Sequence, residues 1–103
     1  MDKGYKLRYL PQFEQDVAEV RDHIIYKLQN PSAALRLIND TEAAINKRLF
    51  NPLGHKPYKS IRDRKNDYYR INIRNYAVFY VVIDDVMEVR RFIYSKRNLP
   101  EII

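Results

Sequence analysis

Tyr68-Tyr69-Arg70-Ile71-Asn72-Ile73-Arg74-Asn75-Tyr76-Ala77-Val78-Phe79-Tyr80-Val81-Val82-Ile83-Asp84-Asp85-Val86-Met87-Glu88-Val89-Arg90-Arg91-Phe92-Ile93-Tyr94 decides the fold. Its first part, Tyr68–Arg74, alternates, with Tyr69, Ile71 and Ile73 on one face and Arg70, Asn72 and Arg74 on the other. That is the period of a strand with one buried side. Asn75 marks a tight turn. Tyr76–Ile83 is apolar on both faces, as a strand covered on both sides would be. Asp84-Asp85 makes a second turn, and Val86–Tyr94 is a third strand. Strands joined by such short turns form an antiparallel meander.

Upstream the period changes. Tyr5-Lys6-Leu7-Arg8-Tyr9-Leu10 alternates as a short strand, and Pro11 ends it and can start a helix. Phe13, Val17, Val20, Ile24 and Leu28 then recur at steps of three and four, an apolar helical stripe. Glu14, Asp16, Glu19, Arg21 and Asp22 fall on the other faces. Asn30-Pro31 reads as an N-cap followed by a first-turn proline. A second helix is expected from about Ser32 to Phe50, with the stripe Ala34, Leu37, Ile38, Thr41, Ile45 and Leu49. Asn51-Pro52-Leu53-Gly54 stops it. The predicted order is β-α-α-β-β-β. This is an α+β fold, a helical hairpin packed on one face of a mainly antiparallel sheet, in a single domain over residues 1–103.

With 103 residues and 46% hydrophobic composition, the chain can build a core. It has no cysteine, which excludes disulfides and thiol catalysis. His23 and His55 stand far apart, so no metal site and no cofactor is expected. Two glycines, Gly4 and Gly54, cannot form a phosphate-cradling loop. No apolar run is long enough for a membrane span, and Met1–Tyr5 lacks a signal peptide's apolar stretch, so a soluble, cytoplasmic protein is expected. The net charge is +6, and it is uneven: residues 1–54 carry +1 and residues 55–103 carry +5. Such an excess suits a polyanion or an acidic protein partner, although it also serves solubility.

Candidate site residues come from that basic half. Arg70, Asn72 and Arg74 would project from one strand face about 7 Å apart, able to grip phosphates or carboxylates. Arg90, Arg91, Lys96 and Arg97 follow at the end of the last strand and beyond it, where they could join Arg70 and Arg74 in one concave basic surface or protect the edge strand. Tyr58, Tyr68 and Tyr94 lie near these cations and could stack on bases. Tyr80 reads as core. His55 is a loop histidine that could act as a base, and residues 55–67 read as a basic surface loop.

The predicted fold and the string Tyr69-Arg70-x-x-x-x-Asn75-Tyr76-x-x-Phe79-Tyr80 resemble the RelE/ParE toxin superfamily. So do the ending Val89-x-x-Phe92-Ile93-Tyr94-Ser95-Lys96-Arg97-Asn98, the start Asn30-Pro31-x-Ala33-Ala34 and the turn Asn51-Pro52-x-Gly54. The resemblance covers nearly the whole chain. It implies the toxin of a type II toxin–antitoxin (plasmid stabilisation) module, neutralised by a cognate antitoxin that binds operator DNA; the toxin would reach that DNA only through the antitoxin. RelE-like members cut mRNA in the ribosomal A site, whereas ParE-like members poison DNA gyrase without cutting nucleic acid themselves. By the resemblance, Arg97 falls on the basic position of the RelE tail and Arg70 on a lysine position, while Asn72 stands where a second lysine is expected. Ala77 stands where nucleolytic members carry an arginine, and Ile102-Ile103 where RelE carries a catalytic tyrosine. The pattern Tyr76-Ala77-Val78-Phe79-Tyr80 is more similar to ParE. The expected reading is therefore a ParE-like gyrase poison, not an enzyme, with Arg70, Asn72, Arg74, Arg90, Lys96 and Arg97 as target-binding residues. The alternative is a ribosome-dependent mRNA endonuclease using Arg70, Arg74, Arg97 and Tyr94, or His55. A further alternative is a non-toxic relative kept for antitoxin binding.

Overall fold

The computed structural model describes residues 4–58 and 65–97. The tract 59–64 of the basic loop and the tail 98–103, with Ile102 and Ile103, lie outside the described residues. The elements run β1 (Lys6–Tyr9), α1 (Pro11–Asp22), α2 (Pro31–Arg48), β2 (Tyr69–Ile73), β3 (Tyr76–Ile83) and β4 (Val86–Tyr94). The sheet order is β1-β4-β3-β2. The meander is antiparallel, and β1 adds to β4 in parallel register. The α+β architecture expected from the sequence is the one observed.

The helices form for the reasons legible in the chain. Pro11 and Pro31 occupy first-turn positions, where a missing N–H costs nothing. The Asn30 side chain caps α2 by accepting the Ala33 amide at 3.2 Å. Ala34, Leu37, Thr41 and Ile45 of α2 are buried against the sheet as their spacing requires. The Thr41 hydroxyl donates a hydrogen bond to the Leu37 carbonyl at 2.7 Å.

The first helix departs from its expected stripe. Phe13 and Ile24 are buried, but α1 widens over His23–Lys27 into a π-helical turn, where the Leu28 amide bonds the His23 carbonyl five residues back. One extra residue in a turn rotates every later side chain off the stripe. Leu28, expected inside, is 60% exposed. Gln29 then takes a left-handed conformation that stops the helix.

The sheet has two apolar faces. Tyr69, Ile71, Ile73, Val78, Tyr80, Met87, Val89 and Phe92 meet the helices. Tyr68, Ala77, Phe79, Val81 and Ile93 make a second buried cluster on the opposite face, away from the helices, against which Tyr58 and Ile83 pack. The two-sided apolarity of β3 reflects those two cores. Tyr80, fully buried, joins three segments: its hydroxyl donates to the Pro52 carbonyl at 2.8 Å and accepts from Arg48 Nη1 at 2.9 Å. Burial holds its phenol above the ordinary pKa, although Arg48 pulls the other way.

Arg74 corrects the alternation read from the sequence. It is the left-handed residue of the β2–β3 turn, with φ 53°, and Asn75, read as marking that turn, follows it. Its guanidinium leaves the face shared by Arg70 and Asn72 and pairs with Asp40 on α2. An arginine in this region costs about 1 kcal/mol, and the ion pair offsets part of it.

Candidate functional site

Two surfaces collect the residues that could act. The first is the face of the sheet away from the helices, which Arg70, Asn72 and Arg90 share, and where Arg70 and Asn72 touch. Arg70 Nε donates to Asn72 Oδ1 at 2.7 Å, and its guanidinium carbon lies 5.7 Å from the ring centroids of both Tyr58 and Phe79. A β-bulge shifts the β3–β4 register between Phe79 and Tyr80, leaving Arg90 as the extra residue of β4. The Arg90 side chain lies across this face toward β2, its guanidinium carbon 5.6 Å from the Tyr68 ring centroid. Arg90 Nη1 donates to the Tyr68 hydroxyl at 3.2 Å and Arg90 Nε to Glu88 Oε1 at 2.7 Å.

Glu88 is the hub of this network. Its side chain is 7% exposed, and Oε2 accepts both Nε (2.9 Å) and Nη2 (2.6 Å) of Arg8. Burial alone would raise its pKa, but the hydrogen bonds and charges of Arg8 and Arg90 outweigh burial and hold the carboxyl below the usual range. Burial likewise opposes the charge on Arg90, and its bonds to Tyr68 and Glu88 overcome that. Arg70 and Arg90 are therefore engaged inside the molecule, as are the rings of Tyr58 and Tyr68 expected to be available for base stacking.

The second surface is the tail. β4 ends at Tyr94, paired with Tyr76; the Ser95 amide then bonds the Asn75 carbonyl at 2.7 Å and the Arg97 amide the Tyr94 carbonyl at 3.0 Å. These bonds turn the chain beneath the helix hairpin. A groove of about 550 Å³ opens there, lined by Glu19, Val20, His23, Leu28, Asn75, Tyr76, Tyr94 and Arg97. The Tyr76 ring stacks on Phe92 at 5.1 Å and meets Tyr94 edge-on at 5.6 Å. Burial, then the proximity of Tyr94, raises the Tyr76 phenol above its ordinary pKa, so it stays protonated at neutral pH. Lys96 and Arg97 are exposed, and neither side chain has an ion-pair or hydrogen-bond partner among the described residues.

The expected single basic patch is thus divided. Arg70, Asn72 and Arg90 share the face away from the helices, Arg74 is tied to α2, and Lys96 and Arg97 stand at the tail groove beside Tyr94. His55 is elsewhere again, in a groove at the end of α2 with Lys47 and Phe50. The division arises from the left-handed Arg74 and from the Asn75–Ser95 bond, neither of which a strand period encodes. Sequence reasoning also missed Arg8, Arg48 and Glu88. An acid in the middle of an apolar strand was the available signal for Glu88. Among the described residues, no group of three or more His, Asp or Glu could hold a metal ion, and no helix is long and apolar enough to cross a membrane.

A family model described as the ParE toxin of the type II toxin–antitoxin system, parDE, matches residues 7–99. Among solved structures, the chain is similar to one from the chromosomal ParDE toxin–antitoxin system of P. aeruginosa, with TM-score 0.75 and 11% identity over 92% of this chain and 100% of that one. It is also similar to a chain of the archaeal RelE–RelB complex from Pyrococcus horikoshii OT3, with TM-score 0.56 and 17% identity over 91% and 98% of the two chains. A third likeness is to the RelB–RelE antitoxin–toxin complex from Methanococcus jannaschii, with TM-score 0.50 and 24% identity over 93% and 99%. No curated protein matches the sequence.

Proposed function

Because the chain belongs to the ParE toxin family of type II toxin–antitoxin systems, we propose that it acts as a single cytoplasmic domain that poisons DNA gyrase through its tail groove and is neutralised by a cognate antitoxin. One observation carries this reading: the cations of the meander are spent on internal contacts, while Lys96 and Arg97 stand exposed beside the tyrosine-lined groove. A surface built to hold a partner needs charges whose hydrogen-bonding capacity is still open. Groove tyrosines add rigid apolar area for contact. A supercoiling assay with purified gyrase tests it. Inhibition or trapped cleavage complex is the expected result; normal supercoiling rejects the reading. Antitoxin neutralisation is supported by two of the similar structures, which are toxin–antitoxin complexes.

The second reading is a ribosome-dependent mRNA endonuclease. Arg70 beside Asn72 on the face away from the helices favours it, since a strand-borne guanidinium can neutralise charge developing on a phosphate. Against it, Tyr94 and His55, its proton carriers, line two different grooves, and Arg70 lines neither, whereas proton transfer requires hydrogen-bond reach. Primer-extension mapping during expression separates the two, because uncut messages reject cleavage. Normal growth on expression without antitoxin would instead favour a non-toxic relative.

A further inference from the structure

At the end of α2 the chain presents two large apolar side chains to solvent: Phe50 is 90% exposed and Leu53 is 51% exposed. They sit on a firmly held turn. Pro52 between them is buried, and its carbonyl takes the hydrogen bond from the buried Tyr80 hydroxyl. The Asn51 amide bonds the Arg48 carbonyl at 3.0 Å and the Gly54 amide the Asn51 carbonyl at 3.2 Å. Asn51 packs so closely over Gly54 that a Cβ there would lie 2.1 Å from its side-chain nitrogen. The turn thus holds Phe50 and Leu53 outward in one conformation, although neither gains burial from it. Pre-ordered exposed aromatics of this kind lose little entropy when a partner covers them.

A groove of about 350 Å³ adjoins Phe50, with Ala44 and Ile71 among its apolar walls and Lys47, Arg48 and His55 among its polar ones. No carboxylate lines it among the described residues, and exposed Lys56 follows close by. We propose that this turn and groove form a docking surface for an acidic amphipathic segment of a partner protein, with Phe50 and Leu53 as apolar anchors and Lys47, His55 and Lys56 facing its carboxylates. The aliphatic walls favour a polypeptide over nucleic acid, whose single-stranded binders use successive aromatic platforms. The surface shares no residue with the tail groove, and it lies at the other end of α2, so the proposal does not depend on gyrase being the target.

The probe is a fluorescein-labelled helical peptide with two leucines one turn apart flanked by glutamates. Its counterparts are the same peptide with lysines for the glutamates, and a labelled single-stranded oligonucleotide. Anisotropy titrations use the full chain and its Phe50→Ser, Leu53→Ser and Tyr26→Ser variants. Both anchors are exposed, so an unchanged thermal midpoint is expected and checks that the variants fold. The acidic peptide should bind the wild type and Tyr26→Ser alike, and bind Phe50→Ser roughly tenfold or more weakly. Failure of the acidic peptide to bind, equal binding of the lysine peptide, or equal losses at Tyr26 and Phe50 would each overturn the proposal. So would an oligonucleotide bound in a Phe50-dependent way where the peptide is not.

Discussion

The carboxylate of Asp16 on α1 accepts the backbone amide of Phe92 on β4 at 3.0 Å. The parallel strand β1 pairs with β4 only as far as Val89 and ends there. Past that point β4 would present an unpaired amide on its β1 side, which is costly inside a protein. Asp16 supplies the missing acceptor. It also accepts Arg91 Nε at 2.8 Å, Arg91 Nη2 at 3.2 Å and the side-chain Nε2 of Gln12 at 2.9 Å. One side chain therefore joins the first helix to the last strand.

Asp16→Ala leaves the Phe92 amide and the Arg91 guanidinium unsatisfied in a buried setting. It is expected to destabilise the fold by about 3 kcal/mol. Asp16→Asn keeps one acceptor for the Phe92 amide and should cost less than half as much. Urea denaturation of the two variants beside the wild type measures both, and equal losses would mean that the amide bond contributes nothing.

Asp16 also marks how far the sequence could be read. The strand alternation of β1 and β2, the capped start of α2 and the α2 stripe follow local periods, and the fold followed from them. Asp16 lay off the apolar stripe, so it read as solvated, and only the early end of β1 gives it a use. Leu28 failed for a similar reason, because a π turn shifts phase without leaving a mark in composition. At the candidate site, Arg70 and Asn72 were legible as neighbours by their spacing of two. Arg74 was not, since its conformation depends on the turn. The internal use of Arg90 depends on Glu88 and Tyr68, which come from other positions and strands.

Glu88 should give the protein an acid-sensitive component. Its folded pKa lies below that of an ordinary glutamate, so its contribution to stability is complete above about pH 4.3, the unfolded value. That contribution falls away as pH drops through the lowered folded value. Urea midpoints taken from pH 6 down to pH 2.5 should decline less steeply in Glu88→Gln than in the wild type. Parallel declines would show that the Arg8–Glu88–Arg90 network carries no pH dependence.

Tyr80→Phe removes a hydroxyl that serves Pro52 and Arg48 together. The ring remains, so packing is kept and only the two polar partners are orphaned. A loss of about 1–2 kcal/mol is expected, seen as a thermal midpoint lowered by roughly 4–8 °C per kcal/mol. An unchanged midpoint would mean that water replaces the phenol in both bonds.

Arg74 and Arg97 stand near the same end of the sheet, yet they differ in what they touch, and that difference predicts different roles. Arg74 is bound to Asp40 in a pair whose side chains are each about half exposed. Surface pairs of this kind contribute about 0–1 kcal/mol, so Arg74→Ala should leave both stability and the proposed gyrase inhibition nearly unchanged. Arg97 has no side-chain partner to lose among the described residues and lines the tail groove, so Arg97→Ala should leave the thermal midpoint in place while weakening the proposed gyrase inhibition by roughly tenfold or more. Arg36→Ala, on the exposed side of α2, controls for the loss of one positive charge from the whole molecule. Supercoiling assays across a toxin titration, run with the three variants at matched ionic strength, rank them. If Arg36→Ala and Arg97→Ala weaken inhibition equally, overall charge rather than the tail groove brings the toxin to its target.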